Sequence, residues 1–298
     1  MKESDNTVIR GRVALQKGIP PSAFIGRGVS RLKIFDTHAH YYDRRFEGDG
    51  ADAILKQIMP SPVCAIVNVG TNCENSRIAV QQAAEYDGMY AAVGIHPGDC
   101  HAICDADAAL AELERILGTR ESRQRDKIVA LGEIGLDYYW KEYDGVPMDK
   151  QKQAYFFDAQ MQLAEREDLP VLIHDRDAHG DCFEMILRHP NARGVLHSYS
   201  GSAEMAKELV RRGWYISFSG TLTFKNATKV REAAQAVPRD RLLIETDAPY
   251  LAPHPHRGET NHSGFLVHTL TTLAELWECT RDAAAEQTFE NAQHFFFG

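Results

Sequence analysis

The chain has 298 residues, 44% hydrophobic and 25% charged, with a formal net charge of −9. That length suits one large α/β domain and exceeds what a disulfide-stapled mini-domain needs. The acidic balance argues against a broad DNA-coating surface, which requires clustered Lys and Arg, but not against an enzyme that grips a strand end through bound cations.

Residues 1–31 carry Gly, Pro and Ser, as in Gly18-Ile19-Pro20-Pro21-Ser22, without sustained periodicity. They read as an N-terminal extension with no core of its own, leaving 32–298 as a single domain. From Leu32 short β-branched runs alternate with helical stretches. The runs are Lys33–Phe35, Val63–Val69, Tyr90–Ile95, Ile128–Leu131, Val171–Ile173, Gly194–Leu196, Trp214–Phe218 and Leu242–Ile244. Helices are predicted over 105–117, 149–166, 203–212, 226–236, 264–278 and 282–295. In the second of these, Ala154, Phe157, Met161 and Ala164 line one face. Strand and helix alternating eight times predict a (β/α)8 TIM barrel. No apolar run approaches the roughly 18 residues of a membrane span. The first residues lack the apolar core of a signal peptide, so a cytoplasmic location is expected. The six cysteines form no CxxC pair and read as reduced thiols.

The chemistry lies at the strand ends. Strand 1 runs into Asp36-Thr37-His38-Ala39-His40, and strict alternation places 36, 38 and 40 on one face. Strand 4 runs into Gly132-Glu133-Ile134-Gly135-Leu136-Asp137. Strand 5 ends at His174, strand 6 at His197, and strand 8 runs into Glu245-Thr246-Asp247. A lone strand-end His is usually structural, and a lone carboxylate usually caps a helix. Five such ends on the C-terminal side of one barrel, where barrel active sites lie, point instead to a shared divalent-metal centre. No phosphate-binding GxxxxGK[ST], GxSxG elbow or GxGxxG succeeds a strand, so nucleophilic Ser or Cys catalysis has no support.

The segments DTHAH (36–40), GIHP (94–97), GEIGLDYY (132–139), IHDRDAHGD (173–181), HSYSG (197–201) and ETDAPYL (245–251) resemble the TatD-type metal-dependent deoxyribonucleases of the amidohydrolase-like barrel superfamily. The resemblance runs from about residue 33 to the C-terminus. It implies that His38, His40 and Asp247 hold one ion, that His174 and His197 hold a second, and that Glu133 bridges them. It implies two divalent ions (Zn, Mg or Mn), a metal-activated water, Asp247 as general base and His96 beside the scissile phosphate. Arg176 and Arg257 are expected substrate contacts, and Asp36 and Asp137 are expected to orient ligating rings. Tyr138, Tyr139, Trp140 and Tyr199 are candidates for stacking a terminal base. Two departures fall beside the ligands: the family's HCFSG is here His197-Ser198-Tyr199-Ser200-Gly201, and its Glu-Pro after RGxxN is here His262-Ser263.

The expected activity is exonuclease-type hydrolysis of DNA, single-stranded or at strand ends. The alternative is an amidohydrolase acting on a small amide, ester or lactone, which would need a neutral pocket beside the ions. A non-catalytic metal scaffold would leave His96 without a packing reason.

Overall fold

A computed structural model of the protein describes residues 32–48, 50–59, 62–143 and 145–298. The extension expected over residues 1–31 lies outside the described residues. Eight parallel strands pair in sequence order: β1 (Ile34–Ala39), β2 (Val63–Val69), β3 (Met89–Val93), β4 (Ile128–Asp137), β5 (Val171–Arg176), β6 (Gly194–Leu196), β7 (Tyr215–Phe218) and β8 (Leu242–Ile244). At the C-terminal rim Ala39 bridges Ala248 in parallel, and the His40 N–H donates to the Ala248 carbonyl at 2.7 Å. The sheet thereby closes on itself as a (β/α)8 TIM barrel.

The outer layer comprises α1 (Gly50–Ile58), α2 (Cys73–Glu85), α3 (Ala106–Leu117), α4 (Arg120–Arg125), α5 (Lys150–Glu167), α6 (His179–Arg188), α7 (Ala203–Arg211), α8 (Thr228–Ala236), α9 (Leu266–Leu276) and α10 (Arg281–Phe297). The six predicted helices are present. Helix α2 escaped the periodicity reading because the side chains it buries are small: Ser76, Ala79 and Ala83. Side chains from all eight strands, among them Phe35, Val67, Ala92, Ala130, Leu172, Val195, Tyr215 and Leu243, pack into one cluster. Phe295 and Phe296 of α10 join it, so that helix plugs one end of the barrel. Among the described residues no helix is long and apolar enough to cross a membrane, and all six cysteines are free thiols.

Strands β1 and β4 each carry a local extra residue against the neighbour they pair with. In β1, Asp36 pairs with Ile66 and Ala39 with Asn68, three steps against two. In β4, Leu131 pairs with Val171 and Ile134 with Ile173, again three against two. Such a bulge reverses the in–out alternation of a strand. Below the first bulge Phe35 faces the barrel interior; above it His38 and His40 do. Asp36 therefore faces away from them, which corrects the expectation that 36, 38 and 40 share a face. The second bulge turns Glu133 inward. It needs glycine at 132, which has φ +147° and where a Cβ would lie 2.8 Å from the Leu172 carbonyl oxygen. Gly135, at φ +141°, lets the His174 backbone approach to where a Cβ would clash. The glycines that made β4 look as if it ended at Leu131 are the residues that let it continue to Asp137.

Candidate metal centre

The structure brings His38, His40, His96, Glu133, His174, His197 and Asp247 together at the C-terminal mouth. His38 and His40 present their Nε2 atoms 3.2 Å apart. Asp247 Oδ1 lies 3.3 Å from His40 Nε2 and 3.9 Å from His38 Nε2. On the opposite side His174 Nδ1 and His197 Nε2 are 3.1 Å apart. Glu133 stands between the two sets. Its Oε2 is 3.5 and 3.6 Å from His38 and His40. Its Oε1 is 2.7 Å from His174 and 2.8 Å from His197.

The outer partners of the rings decide which nitrogen faces inward. The His40 Nδ1–H donates to the Val69 carbonyl at 2.7 Å, leaving the Nε2 lone pair for the centre. His174 Nε2 meets Asp137 Oδ2 at 3.2 Å, which turns Nδ1 inward. His197 Nδ1 meets Glu245 Oε1 at 3.2 Å, which turns Nε2 inward. Lone pairs from several rings thus converge on carboxylate lone pairs at contact distance. Protons or cations must lie between them. The spacings of 3.2–3.9 Å in the first set are near the ligand–ligand edge of about 3.3 Å set by Zn–N bonds of about 2.0–2.1 Å. The donor set fits divalent cations.

His96 differs. Its Nδ1 accepts the Gly98 N–H at 2.9 Å, so its proton sits on Nε2, 3.5 Å from Glu133 Oε1. That nitrogen has no free lone pair for a metal and acts as a hydrogen-bond donor into the mouth. Burial lowers its pKa to about 3, so the ring is neutral. Burial disfavours the Glu133 charge, yet the neighbouring imidazoles, His197 foremost, hold its carboxyl well below the usual range. Burial likewise opposes the Asp247 charge, and His40 overcomes it. Both carboxylates are ionised at neutral pH.

Asp247 comes after β8 in a left-handed turn at φ +59°, which Asp tolerates better than most residues. Its N–H donates to the His38 carbonyl at 2.9 Å, so the seam that closes the barrel also aims this carboxylate. Asp36 Oδ1 accepts the Thr246 N–H at 2.9 Å and Oδ2 accepts the Thr246 hydroxyl at 2.6 Å. Asp36 thus fastens the same seam, and it reaches the backbone N–H of His38 and not the ring. Asp137 does contact a ring, that of His174.

Glu245 is a site residue that the sequence reading left without a role. It is fully buried, holds His197 Nδ1, and accepts the Ser198 N–H at 2.7 Å. Its signal was its place in Glu245-Thr246-Asp247, two residues from a predicted ligand. Glu245→Ala is expected to weaken metal affinity or activity by about 10- to 100-fold, as loss of such ring-orienting partners does. Metal titration of the variant checks this, and unchanged affinity and rate would show that His197 needs no support.

The expected substrate arginines sit on the rim. The Arg176 guanidinium lies 3.9 Å from the Tyr139 ring centre, and Arg257 lies 4.1 Å from that of Phe224. Arg257 lines a 520 Å³ cleft with Lys225 and His254. Asn261 donates to the Thr246 and Tyr250 carbonyls at 2.9 and 2.7 Å and so pins the loop after β8.

A barrel whose mouth gathers five histidines and ionised carboxylates defines a metal-dependent hydrolase. The model of the TatD related DNase family matches residues 35–297, and the chain belongs to that family. It is 39% identical over 266 residues to the uncharacterized metal-dependent hydrolase YabD of Bacillus subtilis, covering 88% of this chain and 98% of that protein. It is 38% identical over 254 residues to the uncharacterized metal-dependent hydrolase TatD of Mycobacterium tuberculosis, covering 84% and 92%. The crystal structure of the TatD homolog YjjV from Escherichia coli superposes with a TM-score of 0.80 at 31% identity, over 90% of this chain and 99% of that one.

Proposed function

We propose that the chain is a deoxyribonuclease that hydrolyses phosphodiester bonds at DNA strand ends with two divalent ions, Zn, Mg or Mn. His38, His40 and Asp247 hold one ion, His174 and His197 hold the other, and Glu133 lies between. The observation that carries this reading is the division of Glu133, one oxygen toward each histidine pair. Ions bound there supply positive charge for phosphate oxygens and lower the pKa of a water to about 7. Asp247, ionised and at the edge of the centre, takes the proton of the attacking water. The His96 Nε2–H donates to a phosphate oxygen, and Arg176 and Arg257 meet flanking phosphates.

A concave barrel mouth admits a free or frayed end more readily than the middle of a duplex. A net charge of −9 disfavours a long duplex footprint. The test compares a labelled linear single strand with a closed circle of the same sequence. Stepwise shortening of the linear strand, resistance of the circle, loss of activity after dialysis against chelator and return with Mg, Mn or Zn are expected. Rapid cutting of the circle would overturn end-directed action. Activity that survives exhaustive chelation would overturn the metal reading. Turnover of amides or esters with no cleavage of nucleic acid would move the substrate to small molecules.

A further inference from the structure

We propose that Tyr139, Trp140 and Arg176 form a nucleobase-stacking platform that receives the base beside the hydrolysed phosphate. The inference rests on the nucleic-acid reading of the substrate and assigns part of its binding site. Four aromatics are candidates by sequence, and the structure separates them. Tyr199 is 2% exposed and donates its hydroxyl to the Ser202 carbonyl. Tyr138 donates to Asp181 and lies under the Lys150 ammonium, so both residues are engaged in packing. Tyr139 and Trp140 are 51% and 47% exposed. Large aromatics left in water beside a polar centre mark a surface that something covers.

Three features tie the pair to the centre. Asp137 Oδ1 accepts the backbone N–H groups of Tyr139 at 2.9 Å and Trp140 at 3.4 Å, while its Oδ2 holds His174. One buried carboxylate thus places a candidate ligand and the aromatic turn together. Gln153 of α5 clamps the Asp137 backbone from both sides, accepting its N–H at 3.0 Å and donating to its carbonyl at 3.1 Å, so the base of the turn is rigid. Arg176, paired with Asp137 across β4 and β5, lays its guanidinium 3.9 Å from the Tyr139 ring centre and 5.7 Å from that of Trp140. Among the described residues no carboxylate neutralises this guanidinium. Flat rings for a base and a free cation for its phosphate form the sequence-tolerant pairing that single strands use.

The test uses the full-length metal-loaded chain and short oligothymidylates with phosphorothioate linkages, compared with abasic strands of equal length and charge. Of the three tryptophans, Trp214 and Trp277 are buried, so quenching of intrinsic fluorescence reports Trp140. The base-bearing strand is expected to quench this emission and to bind about tenfold more tightly than the abasic strand. With affinity read from the anisotropy of a dye on each strand, which does not depend on Trp140, Trp140→Ala and Tyr139→Ala should erase that difference and leave abasic affinity unchanged. Arg176→Ala should weaken both strands alike and lower the salt slope by about 1. Equal affinity for both strands, with the linear substrate still cleaved, would overturn the platform and leave the proposed nuclease intact. Failure to bind either strand, together with no cleavage of the unmodified linear substrate, would overturn both.

Discussion

Glu133→Gln is expected to lower kcat by at least about 10²-fold and to release metal. The carboxylate has two equivalent acceptor oxygens, one facing His38 and His40 and the other facing His174 and His197. An amide of the same shape has one acceptor oxygen and one N–H₂ donor. Whichever way it turns, a donor faces one histidine pair and any cation held there. The substitution also removes a negative charge from the midst of five imidazoles, so cations lose their main compensation. Metal content by elemental analysis and kcat should fall together. The fold should hold, because the side-chain volume is unchanged and neither strand register nor Gly132 is touched. A variant that keeps its full metal content and activity would remove Glu133 from the centre.

The barrel was legible because its signal repeats: eight apolar runs with helical stretches between them leave few alternatives. The site was legible because His, Glu and Asp recur at the ends of those runs, and because the motifs match a known family residue by residue. Asp36 was misplaced because alternation along β1 was assumed regular. The bulge between Asp36 and Ala39 is set by pairing with Ile66 and Asn68, a long-range register that local sequence does not encode. The same holds for Glu133, whose direction depends on two residues of β4 facing one of β5. Glu245 went without a role because its function lies in a contact with His197, 48 residues away. The aromatic candidates could be separated only by packing. Tyr138 and Tyr139 are adjacent in sequence, yet the first is tied to Asp181 and the second stands in solvent.

Asp247→Asn is expected to give a loss of about 10²- to 10⁴-fold in kcat with KM little changed, and it separates two roles that one carboxylate can combine. Asparagine keeps an oxygen that can ligate a cation beside His38 and His40. It tolerates the left-handed backbone at φ +59°, and it retains the N–H that donates to His38. The fold and part of the metal affinity should therefore survive. What asparagine cannot do is accept a proton. In the native chain the carboxyl is ionised: burial opposes its charge, but the adjacent His40 and the other imidazoles around it favour the anion and overcome that penalty. Its basic form is thus ready at neutral pH. The two substitutions should leave different traces under saturating metal. Glu133→Gln should regain part of its rate as sites refill, because its defect includes occupancy. Asp247→Asn should stay slow with its sites filled, because its defect is the missing proton acceptor. Single-turnover rates at increasing metal concentration decide the matter. Full recovery of Asp247→Asn by metal alone would reduce Asp247 to a ligand and pass the proton-accepting role to another group at the mouth.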